Sequence, residues 1–247
     1  MRKPEAIVAQ VRTLLHGGGS AEHAAGVQWF FKEPVRSHGW YTGDLRRLAA
    51  KLRREILAEG GTKLLFDVAD QLFGGKHLEE RSLAVVLLQQ DVGKFGDKEF
   101  KRLERWLARV ISWADHDALV HYLIGPMLVA DSYRVRRIYR WANSRNRWFR
   151  RASAVALIAG VRKQLFFQDV EDLWVSLENE TDDMVLKGIG WLLREAAKHQ
   201  PRRTVRFLME IRDHAPRLVL RTACETLPAA TRARILGTAT RARRRFQ

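Results

Sequence analysis

Apolar residues recur at intervals of three and four through most of the chain, and stretches of strict apolar–polar alternation are nearly absent. That spacing builds one apolar stripe on an α-helix, whereas a half-buried strand needs alternation. Between Glu79 and Gln90 the stripe is Leu83, Val86 and Leu87. Between Phe100 and Ile111 it is Leu103, Leu107 and Ile111, with Lys101, Arg102, Arg105 and Arg109 off it. Ala152–Val161, Val170–Leu177 and Val185–Ala197 repeat the pattern, with breaks expected at Gly160, near Glu180-Thr181 and at Gln200-Pro201. The reading is about a dozen helices of roughly 10–18 residues and an all-α fold.

The helices from 76 to 230 look self-similar. Arg81, Asp117, Arg151, Lys187 and Arg221 are spaced 36, 34, 36 and 34 residues apart, each near the start of an apolar helix. Three residues after each comes Ala84, Val120, Ala154, Gly190 or Cys224, small enough to let neighbouring helices approach. A period of this size predicts stacked helix pairs, a curved HEAT-like α-solenoid whose equivalent positions line one face. Four of those five positions are basic, and Asp117 is the exception. Residues 1–75 lack the repeat and read as an N-terminal helical cap. Residues 231–247 read as a basic C-terminal segment, and the whole chain 1–247 as one domain. Gly17-Gly18-Gly19 reads as a flexible joint with Ser20 as a helix N-cap. Neither that run nor Gly74-Gly75-Lys76 continues into the Gly-Lys-Ser/Thr of a phosphate loop.

Charge narrows the function. Lys and Arg number 44 against 28 Asp and Glu, a formal net charge of +16 on 247 residues. Such an excess does not suit an enzyme acting on small neutral substrates; it suits a polyanion, nucleic acid first and an anionic membrane surface second. No apolar run of 18 residues occurs, so no segment is expected to span a bilayer, and no signal-peptide core follows the N-terminus. A cytoplasmic protein, nucleoid-associated when bound to DNA, is expected. The single Cys224 leaves no internal disulfide framework or cysteine-rich zinc site. His116 and His121 are five apart, the wrong spacing for a helical ligand pair, so no metal site is expected.

Arg134, Arg136, Arg137, Arg140, Arg145, Arg147, Arg150 and Arg151 crowd one stretch, with Trp141, Trp148 and Phe149 among them. A solvated helix face with inward tryptophans would explain this, but no comparable acidic run lies nearby, which favours phosphate binding. Lys98–Arg109 and Arg232–Arg245 are also basic, and Arg243-Arg244-Arg245-Phe246-Gln247 reads as a loose electrostatic arm. Asp117 has two readings. With Asp115 as the helix cap, Asp117 would be a first-turn acid favoured by the macrodipole. With Trp113 four residues earlier and cations at the matching repeat positions, it suits a substrate that develops positive charge.

These residues resemble the AlkD-type alkylpurine DNA glycosylases, the DNA alkylation repair family built on HEAT-like repeats. The clearest block is Lys187-Gly-Ile-Gly-Trp-Leu-Leu-Arg-Glu-Ala-Ala-Lys198. Arg145-Asn-Arg-Trp-Phe-Arg-Arg-Ala152 and Ser112-Trp-Ala-Asp-His-Asp-Ala-Leu-Val120 are similar to earlier repeats, and Phe30-Phe-Lys-Glu-Pro34 with Gly39 to the family's first DNA-contacting region. The resemblance spans roughly residues 25–225. It implies Asp117 as catalytic carboxylate and Trp113 and Trp191 as cleft tryptophans. It implies Arg151 and Arg194 as DNA-contacting arginines; Lys187 and Arg81 at the equivalent repeat positions, Arg147, Arg150 and Trp148 in the arginine stretch, and Phe30 are further DNA-binding candidates. The family often carries a tandem tryptophan before its aspartate; here Ser112-Trp113-Ala114 supplies one, and a one-residue shift would put Ala114 there.

The implied reaction is hydrolysis of the N-glycosidic bond of N3- or N7-alkylated purines in double-stranded DNA by a monomer without metal or small-molecule cofactor. The alkylated base already carries positive charge and leaves without protonation, so one carboxylate suffices to stabilise an oxocarbenium-like sugar and orient water. Ring faces of Trp113 and Trp191 would hold the cationic nucleotide. Two other functions fit the same sequence: a non-catalytic HEAT-like protein binding branched or damaged DNA, and a plain HEAT-type protein scaffold.

Overall fold

The structure is a computed structural model that describes residues 2–237. Over these it is all-helical, and its one isolated backbone bridge joins Arg36 to His77. The arginine-rich tail from 243 to 247 lies outside the described residues. Two compact units meet in sequence between Leu123 and Ile124.

The first unit holds α1 (Pro4–Gly18), α2 (Ala21–Gln28), α3 (Thr42–Phe73), α4 (Leu78–Gln89), α5 (Asp97–Leu107) and α6 (Trp113–Leu119). Ser20 caps α2, its hydroxyl accepting from the His23 N–H at 3.2 Å. Gly17 and Gly18 belong to α1 and two of the three glycines are packed, which corrects the expected flexible joint: a Cβ on Gly18 would strike the Trp40 ring, and one on Gly19 the His38 carbonyl. α3 is two helices joined at Gly60-Gly61; Gly61, at φ 64° and ψ −163°, is in a region open only to glycine. Leu83, Ala84, Val85, Leu87 and Leu88 bury α4 on several sides against α3. Trp106 of α5 is fully buried, stacked 4.3 Å from Phe73, its indole N–H given to Asp70 at 2.5 Å.

α5 stops short of its expected end. The Arg109 N–H turns back to the Trp106 carbonyl, and Ile111 lies outside the stripe, half exposed, with its N–H bound to Asp115. After α6 a π turn runs from Val120 to Ile124. Pro126 just beyond has no N–H for the Tyr122 carbonyl, so an unbroken α pattern is unavailable there.

The second unit holds α7 (Gly125–Ala130), α8 (Arg136–Ala142), α9 (Arg147–Val155), α10 (Ile158–Val161), α11 (Phe167–Leu177), α12 (Asp183–His199), α13 (Pro201–Ile211), α14 (Arg217–Ala223) and α15 (Ala229–Leu236). α12 packs on α9, α13 and α14. Gly190 permits the α14 approach, since a Cβ there would sit 2.7 Å from Thr222 Cβ. Gly160 is not the expected break. It lies inside α10, where a side chain would enter the Phe166 ring, and the chain turns afterwards through Gln164 and Phe166, both at φ 62°. The five equivalent positions 81, 117, 151, 187 and 221 all fall on the fourth or fifth residue of a helix. No helix among the described residues is long and apolar enough to cross a membrane.

Candidate active site

The start of α6 is fastened by Asp115. Its carboxylate accepts from the Ser112 N–H (2.8 Å), the Ser112 hydroxyl (2.5 Å), the Ile111 N–H (3.0 Å) and Arg81 Nη1 (2.8 Å). Ser112 is therefore the N-cap residue and Asp115 its reciprocal partner three residues on. This corrects the expectation that Asp115 caps the helix with Asp117 in the first turn. Asp117 is the fifth residue of α6, beyond the orphan N–H groups that a first-turn acid would serve.

Trp113 opens α6 half-buried, its ring stacked on Phe31 at 5.0 Å and 17°. Asp117 lies one turn later on the same face, its side chain 19% exposed. His116 Nδ1, fully buried, stands 2.6 Å from Asp117 Oδ1. α6 thus carries an aromatic ring and a carboxylate on one stripe, with the carboxylate braced from the protein side and reachable by solvent. Such a carboxylate can face a developing cation without reorganising. Among the described residues no three His, Cys, Asp or Glu side chains are grouped as metal ligands.

The basic candidates divide by environment. Arg81 is 4% exposed and donates to the Gly75 carbonyl (2.9 Å), the Arg109 carbonyl (2.8 Å) and Asp115, so it is a buried brace between α4 and α6. Arg151 is also buried, donating to the Met184 carbonyl at the start of α12, and Gly188 leaves the room its chain occupies. Trp148 is buried, with the Arg147 guanidinium 4.8 Å from its ring centre; Arg147 also lies 3.7 Å from Asp182. Arg150 binds Glu180 at 2.6 Å and the Ser144 carbonyl at 2.9 Å. Burial alone would raise the Glu180 carboxyl, yet Arg150 and the N–H groups of Asp182 and Thr181 hold it below its ordinary range. These acids sit about one repeat further along, so the arginine stretch is partly neutralised in space although no acidic run adjoins it in sequence.

Three further candidates, Lys187, Trp191 and Arg194, share α12 and are half-buried; Arg194 pairs with Glu225. Phe30 is 75% exposed. Arg140 and Arg145, which the resemblance did not single out, are exposed and make no ion pair among the described residues.

The family model for DNA alkylation repair enzymes matches residues 11–227. The chain belongs to that family. A solved structure titled as a predicted DNA alkylation repair enzyme from Enterococcus faecalis superposes with a TM-score of 0.76 at 17% identity, over 85% of this chain and 97% of that one. No protein of curated function matches. For a member of the DNA alkylation repair family, two side chains beside Asp117 and Trp113 went unread in the sequence: His116 and Phe31. Adjacent residues on a helix usually diverge, which hid the His116 contact, and nothing in the Phe30-Phe31 pair says which ring turns inward.

Proposed function

We propose that this member of the DNA alkylation repair family is a DNA glycosylase that hydrolyses the N-glycosidic bond of cationic N3- or N7-alkylated purines in duplex DNA. The observation that carries the reading is the pairing of Trp113 with the partly exposed, His116-braced Asp117 one turn apart on α6. As the bond to an already cationic base stretches, positive charge moves to the sugar. Asp117 stabilises that charge and orients the attacking water; the Trp113 ring offers its face to the cationic nucleotide. Trp191, Lys187, Arg194 and Arg147 in the second unit remain candidates for DNA contact. Arg81, Arg151 and Trp148 are buried in intramolecular contacts that hold the helices.

Asp117→Asn is the test. It keeps the side-chain shape, lies outside the first turn, and should change folding stability by no more than about 1 kcal/mol. Removing a preorganised charge of this kind slows the chemical step roughly 10²–10³-fold. Single-turnover release of 7-methylguanine, thermal melting and duplex affinity are measured on one preparation. A folded variant that binds DNA at least as tightly and releases base that much more slowly is expected. Excision within about threefold of wild type together with a sharp loss of melting temperature would make Asp117 a structural helix residue.

A further inference from the structure

Between α2 and α3 the chain places two large aromatic rings in water side by side: Trp29 is 90% exposed and Phe30 75%. Their backbone N–H groups are both bonded. The N–H groups of Trp29, Phe30 and Phe31 bind the carbonyls of Gly26, Val27 and Gln28 in successive three-residue turns. The Gln28 side chain then closes the segment. Its Nε2 donates to the Phe31 carbonyl (3.2 Å) and the Glu33 carbonyl (3.1 Å), and its Oε1 accepts from the Val35 N–H (3.0 Å). Two anchors tie the segment down beyond that clamp. Phe31 lies flat on Trp113, and the Leu78 N–H binds the Arg36 carbonyl.

Exposure here therefore belongs to an ordered turn. Adjacent exposed aromatics forgo apolar burial and call for a partner. Of the possible partners, the net charge of +16, the exposed Arg36 further along the same segment and the attachment to Trp113 through Phe31 favour nucleic acid. Ring faces held in an ordered turn of a strongly basic chain match the chemistry of stacking on bases, which is tolerant of sequence. Wedges of this kind act where a base step is already loosened, because unstacking an intact step is unfavourable.

We infer that Trp29 and Phe30 form an aromatic wedge, held by Gln28, that stacks on bases at a disrupted step of duplex DNA. The inference rests on DNA being the substrate of this chain and is independent of any chemistry at Asp117.

The experiment compares wild type with Trp29→Ala/Phe30→Ala, Trp29→Phe and Gln28→Ala on two duplexes, one fully paired and one with a single abasic site, across a salt series. The double variant should lose roughly 5- to 150-fold in affinity for the abasic duplex, the range for one stacked base, and under about twofold for the paired one. Its salt slope should be unchanged, because no phosphate contact is removed. Trp29→Phe should keep most of the discrimination and Gln28→Ala should lose part of it, with melting temperatures near wild type throughout. Equal losses on both duplexes, no loss, or an effect confined to self-association or to binding of another protein would overturn the wedge. Intact excision without discrimination removes the wedge alone. Discrimination that needs the two rings, in a protein that excises nothing, supports the wedge and removes the glycosylase.

Discussion

Breaking the Arg81–Asp115 pair should unfold the protein far more readily than any loss of surface charge. The two side chains are 2.8 Å apart and only 5% and 1% exposed. Removing one partner of such a pair costs about 3–5 kcal/mol, because the other charge stays buried. Arg81→Met leaves the carbonyls of Gly75 and Arg109 short of a donor, but Asp115 keeps three hydrogen bonds from Ser112 and Ile111. Asp115→Asn leaves the guanidinium facing a neutral amide. The double variant buries no net charge, so its destabilisation should fall at least about 1.5 kcal/mol short of the sum of the single variants. Urea denaturation gives each value from the midpoint at constant slope. Single effects that add within about 0.5 kcal/mol would refute a coupled buried brace. A variant Arg81→Met that folds normally but loses salt dependence in DNA binding would return Arg81 to the phosphate-contacting set.

Three other outcomes are expected. Arg140→Ala and Arg145→Ala should each lower the salt slope of duplex affinity by about one, whereas Arg150→Ala should chiefly lower stability, read as melting temperature beside a fluorescence titration. Gly190→Ala should destabilise by about 1–3 kcal/mol, since its Cβ would meet Thr222 at 2.7 Å, and a wild-type denaturation midpoint would contradict that packing. The His38 ring is stacked 3.9 Å from His77 and edge-on to His16, and burial first, then the His77 charge, pushes its pKa below the ordinary 6.5. The unfolded chain therefore binds that proton more readily; stability should fall as pH drops through about 6.5 and His38→Gln should flatten the dependence, while Glu79 and Glu80, held low, act only below about 4.5.

Apolar periodicity made α4, α5, α11 and α12 legible because apolar residues recur at helical spacing through each, although α4 is buried on several sides and not on one stripe. The 34–36-residue spacing was legible too: it lands on the fourth or fifth residue of α4, α6, α9, α12 and α14. Legibility failed where a residue's meaning depends on something distant. Gly160 looks like a breaker until the Phe166 ring is seen to need its space. Ile111 fits a helical stripe until Asp115 takes its N–H. Gly18 and Gly19 look free until Trp40 and His38 fold over them. Of the candidate site, Asp117 and Trp113 could be picked out by their spacing, but His116 and Phe31 beside them could not.

The repeat spacing has a second physical expression in the ion pairs. Arg53–Asp91, Arg102–Asp67, Arg81–Asp115, Arg150–Glu180, Arg162–Glu195, Arg194–Glu225 and Arg203–Glu171 join residues 30 to 38 apart in sequence. That separation is close to the repeat spacing, so these cations tie together segments about one repeat apart in sequence. A scan for neighbouring opposite charges looks within a few residues and sees only an uncompensated basic run. The excess of 16 positive charges is unaffected by such pairing, since each pair is neutral. What changes is which side chains deliver the excess to DNA. Buried braces such as Arg81 and Arg151 cannot leave their carbonyl and carboxylate partners without unseating α6 or α12. Unpaired exposed cations such as Arg140 and Arg145 can meet a phosphate at the loss of hydration alone. In this chain, acids about one repeat away hold several arginines in ion pairs, and exposure without such a pair among the described residues marks the arginines available to the phosphate backbone.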